Sequence, residues 1–328
     1  APLTGARCPD VSPGGVVIDL SSAVDIDLSS EPEVSPQATT PASVEIPEVS
    51  PRGDQVLRPR GVPICLELCC GSARLSRALS EVGFRTIGID YHFNKSIPES
   101  FVIGIDLGAA EGQGLAWKWL HHPALFFVWW APPCGTSTRA REKPGGPPPL
   151  RTDLQPDGIS GLSGRDAIRV AKANAVYAFC ASTCLYCLSH DIGFAIENPL
   201  RSLMWLTSWF VELLRMSGLV LIDYDACMHG GQRKKSQRLV SNCSSLSSLA
   251  IRCDGSHEHL PWIVVQAGRK FFMTGEEAVY PYRFVEKVAA CLATSVDVNN
   301  GDSDRSKIYE LKLRLAATRR ANAAAAGR

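Results

Sequence analysis

The stretch Ile64-Cys65-Leu66-Glu67-Leu68-Cys69-Cys70-Gly71-Ser72-Ala73, followed by a helical pattern over residues 74–82, decides the fold of this 328-residue chain. An apolar strand that runs through a tight turn of small residues into a helix is the first unit of a doubly wound α/β sheet. A second apolar run at 86–89 leads directly into Asp90. Further strand-like runs alternate with helical stretches, which predicts a mostly parallel sheet covered on both faces. The strand-like runs are 101–105, 125–129, 194–196 and 219–224, and the helical stretches are 112–121, 166–189 and 203–216.

Composition excludes a membrane-spanning protein. The chain has 34 Lys and Arg against 33 Asp and Glu and is 45% hydrophobic, as expected for a globular protein. Its longest apolar run, 124–131, is too short for a membrane helix and ends in two prolines. No signal peptide is recognised, and several of the twelve cysteines sit in apolar runs, which is typical of reduced thiols. We therefore expect an intracellular protein, located in the nucleus if the source is a eukaryote.

The ends of the chain differ from its middle. Residues 1–60 contain no Phe, Trp or Tyr, hold nine of the 22 prolines, and carry nine acidic against four basic residues. This predicts a disordered acidic arm at 1–60, a globular domain at 61–295 and a basic, Ala-rich helical tail at 296–328. Within the arm, Val16-Val17-Ile18-Asp19-Leu20 resembles a SUMO-interacting motif, which would add a strand to a partner's sheet edge. The alternative is a linker with a chance apolar cluster.

Two later strand ends carry groups suited to covalent chemistry. The run at 125–129 leads into Pro132-Pro133-Cys134, whose prolines stiffen the backbone and place one thiol at the carboxyl edge of the sheet. A thiolate there would be a nucleophile, and we expect Arg139 and Arg141 to lower its pKa. The next strand ends in Glu197-Asn198-Pro199, which supplies a proton donor at the same edge. Asn198 and Pro199 also fit the start of a helix, and both interpretations can hold together.

The first turn is suited to a nucleotide-type cofactor. Gly71 and Ser72 would let the backbone approach a ligand closely, and Asp90 would bind ribose hydroxyls. Glu67, just before the turn, favours S-adenosylmethionine (SAM), which carries a sulfonium and an amino group, over a dinucleotide with its pyrophosphate. The alternative is that Gly71 and Ser72 only form a tight turn and that Asp90 only caps the next segment.

The order of the first turn, the Gly-Ile-Asp strand end, Pro-Pro-Cys and Glu-Asn-Pro resembles the DNA cytosine-5 methyltransferase family. The resemblance covers residues 64–198 well and 223–242 loosely. It implies a Rossmann-like SAM-dependent methyltransferase fold and transfer of a methyl group to C5 of cytosine in DNA through a covalent cysteine adduct. Cys134 would attack C6 of the base and Glu197 would protonate N3, with Asn198 and Arg238 completing the catalytic set. The cofactor would be held by Glu67, Leu68, Cys70, Gly71, Ser72, Asp90, Tyr91, Asp106 and Pro132.

The chain departs from this family at three points. Gly135 stands where the family usually has Gln, and Tyr280-Pro281-Tyr282 stands in place of a closing motif. A basic run at residues 229–238 replaces the family's Gln-x-Arg-x-Arg strand. It is expected to contact nucleic-acid phosphates or, alternatively, to form a solvated loop. The predicted substrate-binding residues are Arg139 and Arg141, which follow Cys134, and Arg233, Lys234 and Lys235 in the basic run.

A reduced recognition insert is expected at about 241–274. It contains Cys243, Cys253, His257 and His259, which could form a zinc site. Their spacing fits no standard zinc module, so a polar loop is preferred and no metal is expected.

Two alternatives to a DNA methyltransferase stay open on the sequence. RNA could be the substrate, because the contacts that distinguish RNA from DNA are not visible in the sequence. The chain could also be a catalytically inactive relative that binds nucleic acid.

Overall fold

The structure, a computed structural model, describes residues 17–19, 62–266 and 269–300. The predicted acidic arm at 1–60, apart from three residues, and the predicted tail beyond residue 300 lie outside the described residues. No helix in the described ranges is both long and apolar enough to cross a membrane.

The domain is built on one eight-stranded mixed sheet. Its strand order is β1-β4-β3-β2-β5-β6-β8-β7, with β8 antiparallel to both of its neighbours and every other pair parallel. A separate antiparallel hairpin is formed by β9 and β10. The strands are β1 Val17–Asp19, β2 Ile64–Leu68, β3 Arg85–Asp90, β4 Val102–Gly104, β5 Leu125–Trp130, β6 Gly193–Pro199, β7 Val220–Asp225, β8 Ser236–Ser241, β9 Ile263–Gln266 and β10 Arg269–Phe272.

Helices cover both faces of the sheet, as its buried strands require. On one face, α2, α3 and α4 pack in a core that contains Trp130 and Phe210. On the other, α1 and α5 pack in a second core that contains Trp129 and Phe284. The predicted Rossmann-like α/β fold, with its doubly wound and mostly parallel sheet, is confirmed. The helices are α1 Arg74–Glu81, α2 Ala110–Leu120, α3 Gly164–Ser189, α4 Ser208–Leu213 and α5 Tyr282–Asn300.

The winding direction of the chain reverses at β2. From β2 the chain proceeds outward through β3 and β4 on one side, and then returns to β5 and β6 on the other. In open α/β sheets, ligands bind in the crevice at the carboxyl ends of the strands where this reversal occurs. The fold therefore directs attention to the segments after β2 and β5.

One short piece of the predicted arm is part of the sheet. β1 pairs in parallel with β4, with Val17 opposite Val102 and Asp19 opposite Gly104. Its three residues fall inside the segment that resembles a SUMO-interacting motif, so this backbone adds a strand to the chain's own sheet edge. The SUMO-type partner stays a prediction.

Candidate active site

A cleft of about 430 Å³ opens at the point where the winding reverses. Its volume is within the range of small-molecule sites. It lies between the ends of β2, β3, β4 and β5 and the first half of α3. Residues that line it include Cys69, Asp90, Tyr91, Asp106, Thr136 and Lys172.

The turn after β2 has an unusual backbone. Cys69, Gly71 and Ala73 have φ angles of 58°, 56° and 52°, in the left-handed region. Only glycine adopts this conformation at little cost, and strained non-glycine residues concentrate at functional sites. The turn is fixed to β3 by the Gly71 N–H, which donates to Asp90 Oδ2 at 2.5 Å. The predicted tight turn is thus present, and its strain is held by contact with Asp90.

Asp90 is the acidic group at the centre of the cleft wall. Besides Gly71, the Tyr91 N–H donates to its Oδ1 at 2.6 Å and Asn94 Nδ2 donates to its Oδ2 at 3.1 Å. Burial raises the pKa of Asp90 to about 6, although the backbone donors oppose the shift. The carboxylate is therefore ionised at neutral pH and becomes protonated in mild acid.

We expect Asp90→Ala to weaken SAM binding by about 1–3 kcal/mol, the usual cost of losing a hydrogen bond to a charged group. In the unmutated protein, SAM affinity should be constant above about pH 7 and fall as the pH drops through about 6, because protonation removes the acceptor charge. Calorimetric titration of SAM between about pH 5 and pH 8 measures both effects. An affinity that is unchanged in Asp90→Ala would remove Asp90 from the site.

Asp106 and Tyr91 line the same cleft, as predicted for cofactor residues. The Lys172 ammonium, on α3, lies 3.2 Å from Asp106 Oδ2 and 5.7 Å from the centre of the Tyr91 ring. The Gly108 N–H donates to Asp106 Oδ1 at 2.9 Å. Lys172, which sequence analysis missed, therefore links α3 to the far wall of the cleft.

Glu67 lies beneath the turn, away from the residues that line the cleft. Its Oε2 accepts hydrogen bonds from the Ser76 N–H at 2.7 Å and the Ser76 hydroxyl at 2.6 Å, so it caps the first turn of α1 from outside the helix. Burial raises the pKa of Glu67 to about 8. Its Oε1 is buried and has no hydrogen-bond partner among the described residues, and the predicted role of Glu67 in holding the cofactor stays a prediction.

The remaining cofactor predictions need correction at Cys70. A side chain at Gly88 would come within 3.1 Å of Cys70 Sγ, so this thiol packs against β3, and its neighbour Cys69 faces the cleft. Leu68 is fully buried in the core, and Pro133 lines the cleft where Pro132 was predicted. Ser72 is nearly buried, and its carbonyl accepts the Glu99 N–H at 2.7 Å.

The turn that carries Cys134 is held firmly by other elements. Asn198 Nδ2 donates to the Pro132 carbonyl at 2.8 Å, and the Tyr177 hydroxyl donates to the Pro133 carbonyl at the same distance. The Ser137 N–H donates to the Cys134 carbonyl at 3.0 Å. Asn198 thus holds the turn that carries the thiol, and its predicted place in the catalytic set stays a prediction.

The charges around Cys134 differ from those predicted. Burial raises the pKa of its thiol, Lys235 lowers it and Glu197 raises it. The expectation that Arg139 and Arg141 lower this pKa is wrong. Arg139 pairs with Glu142 and Asp153, and Arg141 donates to the carbonyls of Pro148 and Gly135.

Glu197, at the end of β6, is buried and held by two donors. Gln237 Nε2 donates to its Oε1, and the Tyr280 hydroxyl donates to its Oε2 at 3.1 Å. Tyr280 in turn accepts the Trp129 indole N–H at 3.1 Å. Burial raises the pKa of Glu197, while Lys235 and Tyr280 oppose the shift. Sequence analysis missed Gln237. The register of β8 explains the contact, because Leu239 lies opposite Glu197 and Gln237, two residues away, is on the same face of the strand.

Two residues of the basic run have structural roles. Arg238 is paired with Asp223 on the neighbouring strand, at 2.7 Å and 2.9 Å. Because side chains alternate along a strand, Arg238 points away from the face on which Gln237 contacts Glu197. The side chain of Arg233 is 4% exposed and pairs with Glu276 and Glu277. These ion pairs occupy both guanidinium groups, so they do not support the predicted catalytic role of Arg238 or the predicted phosphate contact of Arg233.

No protein-family model matches the chain, and no curated protein matches it in sequence. It is similar to solved structures of a DNMT2 from Spodoptera frugiperda (12% identity, TM-score 0.32, 55% of this chain and 49% of that one) and of a putative DNA modification methyltransferase encoded within an E. coli prophage (12%, 0.32, 55% and 46%). A third is the Entamoeba histolytica methyltransferase EhMeth (14%, 0.31, 56% and 53%). The solved chains that it resembles are methyltransferases. This chain spans about half of their length, and at this level of similarity the functional argument depends on its own residues.

Proposed function

We propose that this chain is a SAM-dependent methyltransferase that acts on C5 of cytosine in DNA. The observation that carries the proposal is the placement of Cys134 just after β5 and of Glu197 at the end of the adjacent parallel strand β6, beside the cleft at the winding reversal. The two groups are close enough for the Glu197 carboxylate to affect the pKa of the thiol. A nucleophile and a proton donor held at one sheet edge suit addition to an electron-poor ring.

The residues around the cleft fit SAM. Asp90 supplies negative charge to a cavity of suitable size, while Asp106 in the same wall is paired with Lys172. Tyr91 supplies an aromatic surface in the same wall. These groups suit a ligand that carries a sulfonium and an ammonium group. When bound, SAM supplies a methyl group as an electrophile.

The chain's own residues would activate the base. The Cys134 thiolate forms a bond to C6 of cytosine, and the electron pair of the C5–C6 double bond shifts through the ring toward N3. Glu197 donates a proton to N3 and so quenches the charge that would otherwise build up there. The resulting enamine is nucleophilic at C5, where the methyl group is accepted. Water then takes the C5 proton and the N3 proton returns to Glu197, while the electron pair of the broken C5–H bond re-forms the C5–C6 double bond, expels the thiolate and restores the aromatic ring.

Lys235 supports the charge changes at both groups. Its positive charge lowers the pKa of Cys134 and also that of Glu197, while its ammonium donates to the Glu277 carbonyl at 2.8 Å. It therefore favours the thiolate that attacks the base. Lys234, next to it, is exposed and is placed to contact a phosphate. An exposed basic residue next in sequence to Lys235 supports a nucleic-acid substrate over a free nucleoside.

The test is covalent trapping on 5-fluorocytosine. The purified chain is incubated with SAM and with single- or double-stranded DNA that carries the fluorinated base. Fluorine at C5 cannot leave as a cation, so an adduct that has been methylated remains bound to the enzyme. We expect a denaturation-resistant adduct with DNA that peptide mass spectrometry maps to Cys134, and none with unmodified cytosine.

The same incubation with 5-fluorocytosine RNA separates the two substrates. An adduct with RNA and none with DNA would replace DNA by RNA in the proposal. Absence of every adduct, in a protein that binds SAM by calorimetry, would reject cytosine C5 as the methyl acceptor under these conditions and favour an inactive nucleic-acid-binding protein.

A further inference from the structure

Two cysteines and two histidines that are distant in sequence from Cys134 lie close together in the structure. The thiol and imidazole ligand atoms of Cys227, Cys253, His257 and His259 all lie within 4.8 Å of one another. We propose that these four side chains bind one Zn²⁺ ion in a structural site. The proposal does not depend on the proposed methyltransferase activity.

The geometry is close to that of a tetrahedral zinc site. With bonds of about 2.3 Å to sulfur and about 2.0 Å to nitrogen, ligand atoms around tetrahedral zinc are separated by roughly 3.3–3.8 Å. Cys253 Sγ is already 3.5 Å from His259 Nε2, and the rings of His257 and His259 have centroids 4.6 Å apart. The widest separation therefore exceeds the tetrahedral value by about 1 Å, which side-chain rotation can close.

Backbone contacts place the ligands from two separate segments. Cys227 belongs to the 3-10 turn Ala226–His229 that follows β7, and the other three lie in the loop before β9. The Asp225 N–H donates to the Ile251 carbonyl at 3.0 Å, ahead of these three ligands. The Leu260 N–H donates to the Gln232 carbonyl at 2.9 Å, just after them. Because both ends of the loop are fixed to the segment that carries Cys227, the four ligands are brought together before any metal binds.

A buried carboxylate lies next to the segments that carry the ligands and contacts the backbone of one of them. Asp225, which precedes the turn carrying Cys227, is 1% exposed and accepts the Cys253 N–H at 2.8 Å. It also accepts the Ser236 hydroxyl at 2.5 Å and pairs with Arg252 at 3.2 Å. Partners of this kind orient metal ligands and are part of most metal sites.

The donor set selects the metal and the role. Two thiolates and two imidazoles are soft and borderline ligands that suit Zn²⁺ and disfavour Mg²⁺ and Ca²⁺, which prefer oxygen. Four protein ligands leave no open position for a reactive water, so the site is structural. His257 is exposed while the other three are half-buried, which gives an ion access from solvent. The metal would fix the loop against the basic run that contains Lys234 and Lys235.

The structure also separates this set from the one suggested by the sequence. Cys243 follows the end of β8 and packs against Gly193 of β6, where an added side chain would come within 2.9 Å of its Sγ. Its thiol contacts Asn242 Oδ1 at 3.5 Å. It is not one of the four clustered residues. Cys243→Ser is therefore a matched control for the loss of one thiol.

The test is the zinc content of the full chain, purified under reducing conditions without chelator and measured by elemental mass spectrometry. We expect one zinc per chain, and a cobalt-substituted protein with the absorption bands of tetrahedral thiolate coordination. Cys227→Ser and His257→Ala should lower zinc affinity by more than the roughly 10- to 100-fold that loss of an outer partner costs. Cys243→Ser should retain zinc at the level of the unmutated chain.

His257→Ala keeps the test decisive, because His257 is exposed and its replacement leaves the core intact even if a cysteine variant does not fold. Zinc removal from the unmutated chain should also lower its thermal unfolding temperature, and zinc addition should restore it. A folded, reduced chain that binds no zinc, or full retention of zinc in Cys227→Ser or His257→Ala, would overturn the proposal. A disulfide between Cys227 and Cys253 under the same conditions would overturn it as well.

Discussion

Cys134→Ser is expected to lower the rate of methyl transfer by at least about 1,000-fold, the scale on which removal of a nucleophile acts. Even with a pKa raised by burial, the Cys134 thiol ionises far more readily than a serine hydroxyl, and Lys235 opposes the shift. Single-turnover transfer of a radiolabelled methyl group from SAM to DNA measures the effect. Trapping on 5-fluorocytosine should disappear together with turnover.

SAM binding should survive this substitution, because Cys134 is not among the residues that line the cleft. Cys291→Ser is the matched control, since this half-buried thiol on α5 packs at the edge of the second core and lies 3.3 Å from the Ser248 hydroxyl, with which it can hydrogen-bond. The control should keep full activity. Turnover retained in Cys134→Ser would reject the covalent mechanism, and loss of SAM affinity would show that the substitution disturbs the turn itself.

The parts of the structure that are coded locally were predicted well. The strand, turn and helix from Ile64 to Glu81 follow from apolar runs and small residues that are adjacent in sequence. The same holds for the placement of Cys134 and Glu197 at strand ends, because parallel strands bring their carboxyl ends to one edge. By contrast, the choice of Cys69 over Cys70 as the residue that faces the cleft is not coded locally. It depends on the left-handed backbone at Cys69 and Gly71, which the sequence does not reveal.

The errors come from strand pairing over long distances in sequence. Charge dominated the interpretation of 233–238, yet β8 pairs there with β6 and β7. This pairing buries Gln237 against Glu197 and leaves Arg238 to Asp223. The zinc ligands show the same limit, since proximity in sequence suggested Cys243 and the turn after β7 supplies Cys227 instead.

Glu197→Gln is the second substitution with a large expected effect, a loss of about 100- to 10,000-fold in kcat, as for removal of a general acid. Glutamine keeps the size of the side chain but cannot deliver a proton to N3, so charge in the ring is no longer quenched. Burial raises the pKa of Glu197, which extends the protonated, active form to higher pH. Under the proposed mechanism, the rate of the unmutated chain should therefore fall as the pH rises through that raised pKa. In Glu197→Gln this decline should be absent, because the titrating group has gone.

The pH profile of kcat under saturating SAM distinguishes this role from a structural one. Glu212→Gln, at an exposed position on α4, is the matched control and should reproduce the unmutated profile. Gln237→Leu removes a donor to the ionised form of Glu197, so it should raise the pKa further and shift the declining limb to higher pH. A profile that keeps its limb in Glu197→Gln, or one that is unmoved in Gln237→Leu, would show that another group controls the proton, and the mechanism would need a different acid.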